Sequence, residues 1–160
     1  MEAAIGGKRL ELRLATLADL PKVVALQQAA YARNRELLGV EPLPLMADYN
    51  DIARRMEIWL AEQSGRLLGA LILEARPEDL LVWSIACDPS TQGSGLGNSL
   101  LSAAEARARQ LGHTVVRLYT GAVLEHLVAW YGRHGYLIEH IEALSDRSIT
   151  HMVKQLERTA

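Results

Sequence analysis

Residues 80–101, LLVWSIACDPSTQGSGLGNSLL, form the segment from which the rest of the chain can be interpreted. An apolar run rich in strand-forming residues ends at Asp88-Pro89, and helical spacing of apolar residues begins at Leu96. Ser, Thr, Gln and Gly fill the interval between them. This pattern predicts a strand, a glycine loop and a helix in direct succession.

The glycine loop is suited to binding an anion. Gly93, Gly95 and Gly97 carry no side chain that would hold a ligand away from the backbone, and glycine tolerates positive φ. The first amides of the following helix lack an intrahelical partner, and the helix dipole adds about half a positive charge there. We therefore expect a phosphorylated ligand at this point, even without a lysine.

Two widespread phosphate-binding motifs do not fit the segment. A P-loop requires Gly-Lys-Ser/Thr at the start of the helix, and residues 96–99, Leu-Gly-Asn-Ser, contain no lysine. The dinucleotide fingerprint requires a third glycine where Asn98 stands, and the apolar run 115–119 is not followed by an acidic residue for a ribose. A dinucleotide-binding fragment is kept as an alternative that predicts NAD binding.

Two motifs resemble those of the GNAT superfamily, the acyl-CoA-dependent N-acyltransferases. Pro89 followed by Gln92-x-x-Gly95-x-Gly97 resembles the Q/R-x-x-G-x-G/A signature of that superfamily. Residues 130–136, Trp-Tyr-Gly-Arg-His-Gly-Tyr, resemble its Y-x-x-x-G-F/Y segment at the end of the last helix. The family assignment rests mainly on these two matches.

Hydrophobic periodicity predicts one domain over residues 1–160, with 1–7 as a loose N-terminus. The predicted strands cover 9–14, 57–62, 67–73, 80–87, 113–120, 136–141 and 149–156. The predicted helices begin near residues 16–19 and 48–50 and cover 96–111 and 123–133. The order β-α-α-β-β-β-α-β-α-β-β indicates an α/β fold with a mixed sheet (α+β), and it is also the order of the GNAT-like acyl-CoA N-acyltransferase fold.

Composition excludes some function classes and leaves others open. A net charge of −2 without a basic stripe argues against a nucleic-acid partner, and the apolar runs are too short to span a membrane. Residues 1–7 lack the long apolar stretch of a signal peptide. Cys87 is the single cysteine, which fits a reducing cytoplasm and a buried apolar role better than a nucleophile. The histidine spacing predicts no metal site, and the apolar content leaves room for a homodimer interface.

The resemblance implies a binding site for acetyl-CoA as acyl donor. In the family, the pantetheine lies in a gap beside the strand before the glycine loop, which assigns that role to the backbone of Ile85, Ala86 and Cys87. The pyrophosphate is expected on the loop and the helix start: Gln92, Gly93, Ser94, Gly95, Leu96, Gly97 and Asn98. Ser94 stands where many members carry a basic residue, so one charge-assisted contact of about 1.5 to 3 kcal/mol is missing.

The resemblance also implies that Tyr131 is the general acid that protonates the departing CoA thiolate. A phenol pKa of about 10 against about 8.5 for a thiol permits this at neutral pH. The helical register also allows Tyr131 a purely structural place in the core. The general base stays open, since residues 81–83 contain no acid: Glu125, His126, an ordered water or an amine that arrives neutral are the alternatives.

The acceptor is expected to be a primary amine of a small molecule or peptide. Tyr31 and Tyr49 lie in a stretch similar to the region between the first two helices of small bacterial members, and Trp83 precedes the glycine loop, so all three are predicted to bind the acceptor. Arg54 and Arg55 lie among four acidic residues of the same region that can attract a cationic amine: Glu41, Asp48, Asp51 and Glu57. An acyl-CoA-binding module without efficient turnover is the alternative function.

Overall fold

The computed structural model describes residues 1–157 and contains nine strands and five helices in that range. The strands are β1 (Glu2–Ile5), β2 (Lys8–Glu11), β3 (Arg13–Leu14), β4 (Glu57–Gln63), β5 (Arg66–Ala75), β6 (Leu80–Cys87), β7 (Val115–Gly121), β8 (Leu137–Ala143) and β9 (Ser148–Gln155). The helices are α1 (Leu20–Leu38), α2 (Leu43–Met46), α3 (Tyr49–Arg55), α4 (Leu96–Gln110) and α5 (Glu125–Arg133). The predicted mixed α/β fold is confirmed. None of these helices is both long and apolar enough to cross a membrane.

Seven strands form one sheet in the order β3-β4-β5-β6-β7-β9-β8, and all neighbours are antiparallel except β6 and β7. Helix α1 packs on one face of this sheet through Leu20, Val23 and Leu26. Helix α4 covers the opposite face, where its Leu100 and Ala104 are completely buried. The two helices enclose the central strands and fix the position of β6 between them.

Strands β6 and β7 pair over only part of their length. Their parallel register joins Leu80 to Val116, Leu81 to Arg117 and Val82 to Leu118, and then ends. Both strands continue without pairing to each other, β6 to Cys87 and β7 to Gly121. The sheet is therefore open between these strands, on the side where β6 leads into the glycine loop.

Asp79 holds the closed end of this opening. Its carboxylate is 1% exposed and accepts hydrogen bonds from Arg76 Nε at 2.6 Å and from Arg117 Nη1 of β7 at 2.8 Å. Burial alone would raise the pKa of Asp79, but the two guanidinium groups outweigh it and hold the pKa below its usual range. This paired carboxylate ties the start of β6 to β7 where the two strands still touch.

The prediction of a loose N-terminus over residues 1–7 is wrong. Strands β1 and β2 form a hairpin, and Ala3 is buried against the core that contains α4. The amide of Gly6 at the hairpin turn donates to the carbonyl oxygen of Ser94 at 2.9 Å, and the amide of Ala4 donates to the Ser99 hydroxyl. The hairpin thus packs directly against the glycine loop and the first turn of α4.

The connection between α1 and α3 is more ordered than its prolines suggest. Residues 43–46 form a short helix with Pro44 in its first turn, where a missing amide hydrogen costs no helical hydrogen bond. Asp48 then caps α3 by accepting from the Asn50 amide at 3.0 Å, as the predicted helix start requires. This connection forms a wall beside the opening in the sheet.

Candidate functional site

A cavity of about 580 Å³ occupies the opening between β6 and β7. At one end, called the loop end, it is lined by Cys87 and Gln92 next to the glycine loop. At the other, called the α1 end, it is lined by Tyr31 of α1, Leu43 of α2 and Arg147 of the β8–β9 turn. Helix α5 forms the wall between the two ends. The cavity is thus built from both faces of the sheet.

The glycine loop presents backbone amides that have no acceptor in the protein. Gly93 and Gly95 adopt φ values of 81° and 83°, which favour glycine. Within the described residues, no atom accepts a hydrogen bond from the amides of Gly93, Gly95, Gly97 or Asn98. Four amides next to a helix N-terminus form a concentrated donor site for an anion.

The remaining loop amides are engaged within the loop. Gln92 donates to the Pro89 carbonyl at 3.3 Å, and Ser94 donates to the Thr91 carbonyl at 3.0 Å. The Leu96 amide donates to the Ser94 hydroxyl at 3.3 Å. Fewer of the residues 92–98 therefore offer a free amide to an anion than the sequence predicts. Ser94 stabilises the helix start and leaves the neighbouring amides free.

The β6 residues predicted to contact the ligand divide between two directions. Ile85 and Cys87 line the cavity, whereas the Ala86 side chain is buried against α1. Burial raises the pKa of the Cys87 thiol to about 11, so a thiolate nucleophile is disfavoured at neutral pH. On this segment, the β7 side of the backbone has no strand partner within the described residues and remains available for edge pairing.

Tyr131 lies in the cavity wall on α5, where its ring contacts Trp130 at a centroid distance of 4.8 Å and Tyr136 at 5.9 Å. Burial raises the pKa of Tyr131 above its usual value, so the phenol is protonated at neutral pH. No group in residues 1–157 forms a hydrogen bond with its hydroxyl. Trp130 fixes the helix by donating to Asn98 Oδ1 at 3.1 Å, which links α5 to the first turn of α4.

Two of the three predicted acceptor residues line the cavity. Tyr31 and Trp83 face it, and the Tyr31 hydroxyl forms a 2.9 Å hydrogen bond with Ser84. Tyr49 does not line it: its hydroxyl donates to the Pro44 carbonyl at 2.7 Å, and its ring meets the edge of Trp83. Tyr49 is therefore a support behind the wall, and its predicted place in the acceptor site is corrected.

The predicted acidic residues do not line the cavity either. Glu41 pairs with Arg35 at 2.7 Å, Asp51 with Arg55 at 2.9 Å, and Glu57 with Arg107 at 2.8 Å. Asp48 caps α3, as described above. These carboxylates compensate nearby charges or helix ends and do not line the cavity, so the structure gives no direct contact through which they would bind a cationic amine.

Arg147 is a cavity residue that the sequence did not reveal. Its side chain is only 7% exposed, and its Nη1 donates to the Glu41 carbonyl at 2.7 Å, which fastens the β8–β9 turn to the connection after α1. Its Nη2 pairs with Asp146 at 3.0 Å. A position so distant in sequence from α1 carries no local signal for this contact. His126, a candidate base, also lines the cavity and is exposed on the first turn of α5.

No cluster of three or more His, Cys, Asp or Glu side chains able to hold a metal ion occurs in residues 1–157. The cavity lining offers phenols, hydroxyl and amide groups, a thiol, an imidazole and guanidinium groups, and the glycine loop next to it offers free backbone amides. Such a set can bind a phosphorylated ligand at the loop end and donate a proton near the middle of the cavity.

Sequence comparison identifies relatives of this chain. A sequence model of the Acetyltransferase (GNAT) family matches residues 23–136. The mycothiol acetyltransferase of Cellulomonas flavigena is 32% identical over 102 residues, which cover 52% of this chain and 29% of that protein. The amino-acid acetyltransferase of Mannheimia succiniciproducens is 26% identical over 149 residues, covering 88% of this chain and 30% of that protein. The chain thus spans less than a third of the length of these curated relatives.

Solved structures share the fold over nearly the whole chain. The ribosomal-protein-S18-alanine N-acetyltransferase of Escherichia coli superposes with a TM-score of 0.75 at 19% identity, covering 94% of this chain and 96% of that one. A GNAT family acetyltransferase of Elizabethkingia anophelis with acetyl-CoA bound gives a TM-score of 0.67 at 16% identity, covering 92% and 98%. At these identities, the likeness concerns the fold.

Proposed function

Because the chain belongs to the GNAT acetyltransferase family, we propose that it transfers an acetyl group from acetyl-CoA to a primary amine in a ternary complex. The main support is the cavity between β6 and β7, which has the glycine loop with its free amides next to the loop end and the protonated phenol of Tyr131 in its wall. That arrangement offers an anion site and a proton donor along one opening.

The donor site in this proposal uses mostly backbone groups. The pyrophosphate of acetyl-CoA is bound by the amides of Gly93, Gly95, Gly97 and Asn98, and the pantetheine pairs with the unpartnered edge of residues 85–87. The fit is supported by the φ values of the loop glycines and by the open space beside Gly95, where a Cβ would meet no other atom within 4 Å. Gln92 lines the cavity beside this site.

Acetyl-CoA supplies an activated thioester, and the residues of the chain orient it and move protons. The amine nitrogen attacks the carbonyl carbon, so an N–C bond forms and the C–S bond breaks. Tyr131 gives its proton to the departing sulfur and regains one from the nitrogen, through water where the distance requires it. A half-buried phenol suits this role because its surroundings raise its pKa and keep it protonated until negative charge develops on the sulfur.

A second candidate function is an acyl-CoA-binding module without efficient turnover. It is favoured by one observation, that no Asp or Glu of the described residues lines the cavity. Binding through the free amides would be unaffected, but a charged amine would have no carboxylate to deprotonate it.

The proposed function also implies a partner, a cellular location and an oligomeric state. A small-molecule or peptide amine is the proposed partner, with no role for nucleic acid or a membrane. The single cysteine and the net charge of −2 support a cytoplasmic location without such partners. A homodimer is also proposed, supported by the exposed apolar residues Leu137, Ile138 and Ile141 on edge strand β8.

The proposal is tested by incubating the wild-type protein with acetyl-CoA and a broad panel of primary amines. We expect release of the CoA thiol to depend on both the protein and the amine, and mass spectrometry to detect an N-acetylated product. Measurable acetyl-CoA binding without any product would favour the binding module. A folded protein that does not bind acetyl-CoA would contradict both functions.

A further inference from the structure

The charged groups that line the cavity are positive. Arg147 lies at the α1 end with its side chain almost completely buried, and Arg133 lines the cavity from the end of α5. Neither Asp nor Glu lines the cavity within residues 1–157. An ammonium group that enters would leave water and gain no carboxylate partner at the wall.

The carboxylates around the α1 end are engaged outside the cavity. Asp146 pairs with Arg147 itself, and its side chain is half exposed to solvent. Glu142 pairs with His151 at 2.8 Å on the outer strands, and Glu41 pairs with Arg35. These contacts reduce the charge of Arg147 without providing an acidic surface for a cationic substrate.

The rest of the α1 end is apolar and aromatic, with neutral polar groups between. Leu43 and Pro44 form one side, and Tyr31 and Trp83 form another. The amide of Asn34 also lines the cavity. Flat apolar groups fit such a wall, and neutral hydroxyl or amide groups can form hydrogen bonds with an uncharged NH₂.

The titratable groups of the cavity are poor proton acceptors at neutral pH. Burial raises the pKa of Tyr31 to about 12 and that of Cys87 to about 11, and it also raises the pKa values of Tyr119 and Tyr131. Arginine does not release its proton in this range. His126 is the remaining titratable group of the described lining, and it is exposed at the rim.

We propose that the acceptor is an apolar, weakly basic amine of the arylamine class, which enters the α1 end as uncharged NH₂. This inference rests on the proposed acetyl transfer. No protein base is then needed before attack. As the N–C bond forms and the C–S bond breaks, Tyr131 protonates the sulfur, and the proton lost by the nitrogen restores the phenol. Polycationic amines are disfavoured by the buried guanidinium group of Arg147.

The test compares amines that differ in charge at neutral pH. The probes are p-toluidine, which is mostly uncharged, p-methylbenzylamine, which has nearly the same apolar skeleton but is an ammonium ion, and spermidine. The uncharged fraction of an amine falls about tenfold for each pH unit below its pKa, so little of the p-methylbenzylamine is uncharged at neutral pH. We therefore expect kcat/KM to be at least about tenfold higher for p-toluidine than for p-methylbenzylamine. Spermidine should be slower still. Reactions without protein correct for uncatalysed acetylation.

A pH series and two variants sharpen the result. Toward p-methylbenzylamine, kcat/KM should rise with pH up to the pKa of the amine, whereas toward p-toluidine it should stay nearly flat above neutrality. Arg147→Gln should narrow the preference for p-toluidine severalfold because it removes the buried charge. Arg35→Gln removes an exposed guanidinium outside the cavity and should leave the preference unchanged.

The outcomes separate the inference from the function on which it rests. Equal or faster acetylation of p-methylbenzylamine or spermidine would overturn the arylamine inference and leave the acetyltransferase function intact. Bound acetyl-CoA without transfer to any of the amine classes would overturn both.

Discussion

The two ends of the cavity are built in opposite ways. The loop end comes from one continuous stretch, residues 80–101, and offers mostly backbone amides whose direction is set by the turn between β6 and α4. The α1 end joins Trp83 of β6 to three segments distant from it in sequence, α1, α2 and the β8–β9 turn, and offers side chains. Binding of a ligand through backbone amides depends little on side-chain identity. Binding at the α1 end depends on which side chains tertiary packing brings together.

The largest loss of activity is expected from substitution of Tyr131, which lies in the wall between the two ends. Tyr131→Phe should lower kcat by about 10² to 10⁴, the usual contribution of a positioned general acid, because sulfur would leave without its proton donor. Acetyl-CoA affinity, measured by calorimetry, should change little because the ring still fills the wall. A kcat within a factor of two of wild type would remove Tyr131 from the mechanism.

Where β6 and β7 still pair, Asp79→Asn should lower the free energy of unfolding by about 2 kcal/mol, because it removes the buried carboxylate that pairs with two partly exposed guanidinium groups. Denaturant unfolding measures this. Glu139→Gln, which removes the more exposed partner of Arg117, is the control and should cost less than about 1 kcal/mol.

The contribution of Asp79 to the free energy of unfolding should decrease in acid. Because the pKa of Asp79 is lowered in the folded protein, its contribution is complete above the ordinary Asp pKa of about 3.9 and is lost as pH falls through the folded value. The difference between wild type and Asp79→Asn should therefore shrink in acid. A difference that grows as the pH falls would contradict this account of Asp79.

The backbone character of the loop end is tested by Gly95→Val. A branched side chain at a φ of 83° strains the loop that carries the free amides, so acetyl-CoA should bind at least about 10²-fold more weakly. Gly112→Val places the same residue at a φ of 81° beyond the end of α4, far from the loop, and should cost stability without affecting affinity. Equal affinity of the Gly95 variant and wild type would place the phosphates elsewhere.

The smallest change in acetyl-CoA affinity is expected from a substitution in the β1–β2 hairpin, which packs against the glycine loop. Lys8 pairs with Ile5 beside the turn, so its side chain shares the hairpin face that packs toward α4. Because the hairpin turn contacts the loop at Ser94, we expect Lys8 to supply the cation that Ser94 does not. Lys8→Met should weaken acetyl-CoA binding about three- to tenfold, more at low salt than at high salt. Arg9→Met changes the opposite face of the hairpin and should have no effect; equal losses from both variants would indicate a nonspecific charge effect.

The same contrast explains what the sequence could predict. Strand β6 and the start of α4 at Leu96 were predicted to the residue, because Asp-Pro and glycine end and begin elements through local backbone preferences. Residues 9–14 were predicted as one strand, which the structure divides into β2 and β3. Strand β1 was missed because four residues are too short to show a periodic pattern, and its packing against α4 and Ser94 is a long-range contact. The place of Arg147 in the cavity and of Tyr49 behind its wall could not be predicted, because both depend on packing between segments distant in sequence.

Both proposed functions require acetyl-CoA to bind in the opening between β6 and β7, next to the glycine loop. Binding is measured by calorimetric titration of the wild-type protein with acetyl-CoA, with NAD and ATP as controls. We expect micromolar binding of acetyl-CoA and no comparable binding of NAD or ATP. A folded protein that binds no acetyl-CoA, or binds NAD as tightly, would rule out this use of the opening.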